Sequence, residues 1–269
     1  MTLLHTLRKS ARKLGVEVHR YDIRQSLDAR VHALIAHHRV DYVIDVGAND
    51  GGHGQELREG GYRGPILSFE PLSAAHAQLT ARAATDPLWH VAPRCALGSE
   101  QGNASIHVAG NSVSSSLLPM LDRHVQSAPH SATVGAEAVS VMALDSVSGY
   151  ALESASRMLL KIDTQGYEMP VLGGAQATLQ RCIGVRLEMS IVPLYEGQVL
   201  YRELIDCLDG LGFELWALLP GFVDPETGRL LQMDGMFFRD GGAPSAFVVG
   251  LPAAGMATPR PVSRNEGVE

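Results

Sequence analysis

The sequence predicts an α/β fold: one doubly wound, mostly parallel sheet with one antiparallel strand and a β-rich insertion. Three observations carry this. Apolar strand-like runs alternate with helix-like segments along most of the chain, which implies parallel strands covered by helices on both faces. A glycine cluster, GANDGG (47–52), follows directly on the first apolar run. Late in the chain, two strand-like runs flank an acidic Gly/Pro turn, as in a hairpin.

Residues 1–39 read as an N-terminal helical segment. VDYVIDVG (40–47) is a continuous apolar run and predicts a buried strand, and GQELREGG (54–61) predicts a short helix ended by glycines. PILSFEP (65–71) predicts the second strand, and SAAHAQLTARAA (73–84) a helix capped by Ser73. WHVAPRCALG (89–98) predicts a third strand, and Pro93 argues for an edge position. ASIHVAG (104–110) and AEAVSVMALDSV (136–147) alternate with period two and form the insertion, about 99–150, around a serine-rich loop, NSVSSSLLPM (111–120). MLLKIDT (158–164), a helix over 169–180 and GVRLEMS (184–190) restore the alternation. A helix, YRELIDCLDGLG (201–212), leads into FELWALLP (213–220), the turn GFVDPETGRL and the closing strand GMFFRD (235–240). The expected domain is 40–250, and the Pro/Gly-rich residues 251–269 read as a disordered tail.

The 269 residues are 45% apolar and 19% charged, the composition of a globular chain with a sizeable core. A net charge of -7 argues against a nucleic-acid binder, which needs Lys and Arg to neutralise phosphates, and leaves small-molecule or neutral glycan partners. Cys95, Cys182 and Cys207 show no metal spacing and suit a reducing compartment. With no signal-peptide pattern and no transmembrane run, a cytoplasmic location is expected. Leu3, Leu4, Leu7 and Leu14 interleave with Arg8, Lys9, Arg12 and Lys13. Packing of that helix on the core with a solvated basic face is the favoured reading; peripheral membrane contact through residues 3–14 is the alternative. A homo-oligomer stays open.

In open α/β sheets the ligand sits at the carboxyl ends of the strands. From Gly47 the chain lacks the third glycine of a dinucleotide fingerprint and the Lys-Ser/Thr of a phosphate loop. It offers Asp45-x-Gly47-x-x-x-Gly51, with Glu70 ending the next strand. Glu70 can accept ribose hydroxyls, while Asp45 repels a pyrophosphate and suits an amino group. That combination points to S-adenosylmethionine, its amino acid end along the glycine turn.

VIDVGANDG, SFEP, CALGS, NSVSSSLLP, LKIDTQGYEMPVLGGA and RLEMSIVPLYEGQ together resemble the FkbM family of S-adenosylmethionine-dependent methyltransferases over about residues 40–240. The resemblance implies a Rossmann-like class I methyltransferase fold and methyl transfer to a hydroxyl of a secondary metabolite, sugar or glycolipid. It implies that Asp45, Gly47, Asn49 and Gly51 line the methionine end, Glu70 the ribose, and Ala96, Leu97 and Gly98 the adenine. Asp50 and the doubled Gly51-Gly52 depart from the family's simpler turn. An N-methyltransferase of the same fold, or a nucleotide-binding oxidoreductase or regulatory module, is the alternative.

Methyl transfer requires aligned acceptor, carbon and sulfur, and removal of the acceptor's proton by a base or a metal. Asp163 and Glu188, at the ends of neighbouring strands, are the candidate catalytic pair. Two roles stay open for them: Mg²⁺ ligands, or direct contact with cofactor and acceptor, with Glu188 as base. Lys161, two residues before Asp163, is expected to pair with Asp163 or Glu188. Ser115, Gln165, Glu168 and Tyr195 are candidate acceptor-site residues, and Tyr167 a further aromatic there. Glu168 could equally be a helix-start acid. His53 is a solvated helix-start histidine or a base.

Overall fold

The computed structural model describes residues 3–239. The expected tail and the end of the expected domain lie outside the described residues. Helices α1 (Leu3–Lys13) and α2 (Leu27–His37) precede β1 (Tyr42–Val46), α3 (Gly52–Glu59), β2 (Ile66–Phe69), α4 (Ser73–Ala83) and β3 (Trp89–Val91). There follow β4 (Ala96–Leu97), β5 (Gly102–Ala109), α5 (Asp122–Ser127) and β6 (Thr133–Met142). The chain closes with β7 (Met158–Ile162), α6 (Glu168–Gly173), α7 (Gln176–Arg181), β8 (Cys182–Ser190), α8 (Tyr201–Gly210), β9 (Glu214–Pro220) and β10 (Gln232–Phe238).

Seven strands form one sheet in the order β3-β2-β1-β7-β8-β10-β9. Within it β3, β2, β1, β7 and β8 are mutually parallel, and β10 runs antiparallel to both β8 and β9. The expected hairpin is there, but its return strand β10 inserts between β8 and β9 rather than lying at the sheet's edge. The order reverses between β1 and β7, so the carboxyl ends of those two strands, at Gly47 and Asp163, flank the switch point.

Strands β1 and β7 are buried throughout, which is why they read as continuous apolar runs. Ile44, Leu160 and Phe213 belong to the larger core, on one face of the sheet; Val43, Leu159 and Met236 belong to a second core on the other.

Three local expectations are corrected. The run 89–98 is not one strand: Pro93 separates β3 from β4, and β4 pairs with β6 in a second, three-stranded sheet of order β4-β6-β5. The helix expected over 169–180 is two short helices, because Gly174 comes so close to Gly98 that a Cβ there would stand 1.9 Å from the Gly98 carbonyl oxygen. Ser73 does not cap α4; Leu72 holds the cap position, while the Ser73 amide and hydroxyl donate to Glu137 of β6 (both 3.0 Å).

Candidate functional site

The site starts with two tight turns. After β1, Gly47 (φ +74°), Asn49 (φ +48°) and Gly51 (φ +89°) are left-handed. After β7, Gln165 (φ +55°) and Gly166 (φ +98°) are left-handed too. Glycine takes this conformation without strain, and Asn tolerates it better than most residues. The turns touch: a Cβ on Gly47 would lie 1.9 Å from the Asp163 carbonyl oxygen. Gly51 and Gly54 are small for a second reason, since Trp89 packs against both and a Cβ on Gly54 would lie 2.2 Å from its ring. Asp50 faces away from the turn, pairing with Arg82 (2.9 Å) and accepting from the Gly52 amide, so the departure from the family's simpler turn is a surface feature.

Beneath the first turn lies a buried ion-pair cluster. Lys161 Nζ is 3.2 Å from Asp45 Oδ1 and 3.5 Å from Asp163 Oδ2, and donates to the Gly47 carbonyl (3.0 Å). Burial opposes the Lys161 charge, but Asp45 and then Asp163 outweigh it and hold its pKa above the ordinary lysine value. Burial likewise opposes the Asp45 charge, but Lys161 first and the other basic groups around it together keep the carboxyl below its usual range. Lys161 therefore pairs with Asp163 as expected and with Asp45, while Arg186 pairs with Asp234 (2.6 Å). Neither basic group neutralises Glu188.

A cavity opens at the switch point. Its wall includes Gly47, Asn49, Glu70, Ala96, Leu97, Ser115, Asp163, Gln165 and Tyr167, and no Lys, Arg or His. Glu70 accepts the Asn49 amide on Oε2 and the Leu72 amide on Oε1, each at 2.8 Å. Burial pushes its pKa up to about 7 against those two hydrogen bonds. The serine-rich loop roofs the cavity: Ser112 donates to Asn49 Oδ1 (3.1 Å) and Ser116 to the Gln165 carbonyl (2.7 Å), so one loop ties both turns.

A second cavity adjoins the first and shares Val113, Asp163 and Gln165 with it. It adds Asn111, His124, His130, Glu188, Phe222 and Gln232, and no Lys or Arg among the described residues. Gln165 is the hinge of the site. Its Nε2 donates to Asp163 Oδ1 (2.9 Å) and Glu188 Oε2 (2.6 Å), while Tyr195 Oη lies 2.9 Å from both Gln165 Oε1 and the Ser114 carbonyl. These partners fix the amide's orientation, because only its NH₂ side can face two carboxylates. Gln232 also donates to Glu188 Oε2 (3.0 Å). Burial, with Asp163 and Glu168 nearby, raises the Glu188 pKa well above the ordinary carboxylate value. Burial lowers His124 to about 4, leaving a neutral imidazole edge-on to Tyr195.

The expected site residues thus divide. Gly47, Asn49, Glu70, Ala96, Leu97, Ser115, Asp163, Gln165 and Glu188 wall the paired cavities. Asp45, Lys161, Gly51, Gly98, Glu168 and Tyr195 lie behind the walls. Glu168 is buried and accepts the Thr164 and Gly166 amides (both 3.0 Å), so it builds the second turn rather than meeting an acceptor. Tyr195 acts through Gln165. His53 is half-buried beside Arg186 (3.3 Å) and lines a separate surface cavity, outside the two at the switch point. His124 and Gln232 carried no motif or spacing that marked them; the fold brings them in from α5 and β10.

The donors suit a phosphate-free nucleoside cofactor: an acid for the ribose, an apolar slot at Ala96 and Leu97, a carboxylate at Asp163 for an amino group, and no cation for a phosphate. They do not suit Mg²⁺, one of the two roles left open for Asp163 and Glu188. The space between Asp163 and Glu188 is filled by the Gln165 NH₂, where a hard cation would need oxygen. Among the described residues no group of three or more His, Cys, Asp or Glu is placed to hold a metal.

The methyltransferase FkbM domain profile matches residues 45–215. No curated protein matches the chain. Among solved structures, TehB from Haemophilus influenzae is 9% identical over 78% of this chain and 62% of its own, with a TM-score of 0.43. A TehB-like SAM-dependent methyltransferase from Corynebacterium glutamicum is 9% identical over 88% and 96%, TM-score 0.39. Magnesium protoporphyrin IX methyltransferase from Synechocystis, solved with SAM bound, is 8% identical over 79% and 77%, TM-score 0.43. Similarities this distant carry nothing beyond the sheet layout already described.

Proposed function

Because the chain belongs to the FkbM methyltransferase family, we propose that it is an S-adenosylmethionine-dependent O-methyltransferase. Its acceptor is a neutral hydroxyl compound, a sugar, glycolipid or secondary metabolite. The observation that carries this reading is the pair of cavities, without Lys or Arg among the described residues that line them, meeting at Val113, Asp163 and Gln165. One holds the cofactor and the other the acceptor. An acidic or phosphorylated acceptor would find no Lys or Arg among the described lining residues, whereas hydroxyls find amides, carboxylates and imidazoles.

The cofactor supplies an electrophilic methyl group. Glu70 and Asn49 bind its sugar side, Ala96 and Leu97 flank the base, and Asp163 takes the amino group. Glu188 accepts the proton of the acceptor hydroxyl. Gln165 and Gln232 both donate to Oε2, which leaves Oε1 for the acceptor. A carboxyl with a raised pKa is the better base near neutral pH. Gln165 holds Asp163 and Glu188 at a fixed separation, so cofactor and acceptor are aligned by one side chain that Tyr195 orients.

The sign of the pH dependence follows. Glu188 must be ionised to accept a proton, so kcat/KM rises with pH through its raised pKa, above the ordinary carboxylate range. Transfer of a labelled methyl group to a panel of glycosides and polyketide alcohols, with and without Glu188→Gln, tests this. Loss of the rising limb in the variant supports the assignment; an unchanged pH profile contradicts it.

A further inference from the structure

The N-terminal segment is electrically opposite to the rest of the chain. Residues 1–39 carry eight Arg and Lys against three Asp and Glu, a surplus of five positive charges in a chain of net charge -7. Everything after residue 39 is therefore strongly acidic. α1 concentrates the asymmetry, with Arg8, Lys9, Arg12 and Lys13 and no acidic residue.

The expectation that this helix packs on the core is not met. Ala29 is the first buried residue of the chain among those described. Leu7 is 54% exposed and Leu14 82%, and Val16, Tyr21 and Ile23 of the following segment are exposed as well. Among the described residues the side-chain bonds of α1 reach only that segment: Arg8 donates to the Val18 carbonyl and Gln25, and Arg12 pairs with Glu17. By spacing, Leu7 and Ala11 share one stripe with Leu14 of the turn that follows, and the basic residues lie along its flanks and back. An apolar stripe on a helix whose only charged residues are basic matches an anionic bilayer surface, where such a helix lies in the interface with its apolar face about 5–10 Å deep. A protein surface of mixed charge would match it less well.

We propose that α1 docks this protein on an anionic lipid surface. The acidic body is repelled by the same surface, so attachment runs through the N-terminal segment alone. Each basic residue near such a surface contributes about 1 kcal/mol, so reversing two of them weakens binding by tenfold or more.

The test is co-sedimentation of the full chain with phosphatidylcholine vesicles and with equimolar phosphatidylcholine–phosphatidylglycerol vesicles, each at low and high salt. Wild type is expected to sediment with the anionic vesicles only, and to be released by salt. Lys9→Glu/Lys13→Glu and, separately, Leu7→Asp should each cut binding at least about tenfold. Neither position is packed on the core, so the melting temperatures should match wild type. Equal binding to both vesicle types, indifference to the substitutions, or no sedimentation would overturn the proposal. So would a dimer in light scattering that dissociates in Lys9→Glu/Lys13→Glu without any vesicle binding, since it would make a second copy the partner.

Discussion

A single amide, that of Gln165, connects the parts of this site that the chemistry needs together. It sits in a left-handed conformation (φ +55°) that costs a non-glycine residue roughly 1–3 kcal/mol, and such strain gathers where geometry serves function. Buried charge carries similar stakes. Lys161→Met strands Asp45 without a counter-charge, a loss expected to cost about 3–5 kcal/mol, measurable by urea denaturation at neutral pH. Glu168 makes a prediction of the opposite kind. Burial raises its pKa from 4.5 to about 7, so the folded state holds a proton that the unfolded chain releases near 4.5. Its contribution is therefore fully present below about pH 4.5 and lost as pH rises through about 7, a change on the order of 3 kcal/mol. Relative to Glu168→Gln, wild type should lose stability between pH 5 and 8 in thermal melts; parallel profiles would contradict the assignment.

At the scale of elements, the two turns depend on backbone contact rather than side chains. Gly47→Ala places a Cβ 1.9 Å from a carbonyl oxygen at φ +74°. The neighbour is backbone and cannot yield, so a loss of at least about 2 kcal/mol is expected, together with loss of cofactor binding. The sheet itself was legible in the sequence, because strands buried on both faces read as apolar runs and because LKIDTQGYE and VLGGA are tied to particular contacts. Lys161 props the first turn, Glu168 builds the second, and Gly174 meets the carbonyl of Gly98. What stayed hidden were features set by long-range packing. Strand order around β10 depends on pairing across the sheet, which no local pattern encodes. The break at Pro93 joins β4 to a different sheet. His124 and Gln232 enter the second cavity from elements far apart in sequence, and Asp45 was legible as an acid at a strand end but not as the lysine's buried partner.

For the molecule as a whole, the arrangement is a sheet whose switch point opens into one cavity, with an insertion and β10 supplying the walls of a second. Between them the polarity is consistent: carboxylates, amides and hydroxyls line both, and among the described residues neither wall carries a Lys or Arg. That distribution is what separates a nucleoside cofactor without phosphate from a dinucleotide. Isothermal titration of the folded chain with S-adenosylhomocysteine and with NAD measures the distinction directly. The account predicts one site for S-adenosylhomocysteine, none for NAD, and affinity at least about tenfold weaker in Glu70→Ala, the loss of one charged hydrogen-bonding group. Binding of NAD, or no binding of S-adenosylhomocysteine to folded protein, would contradict it.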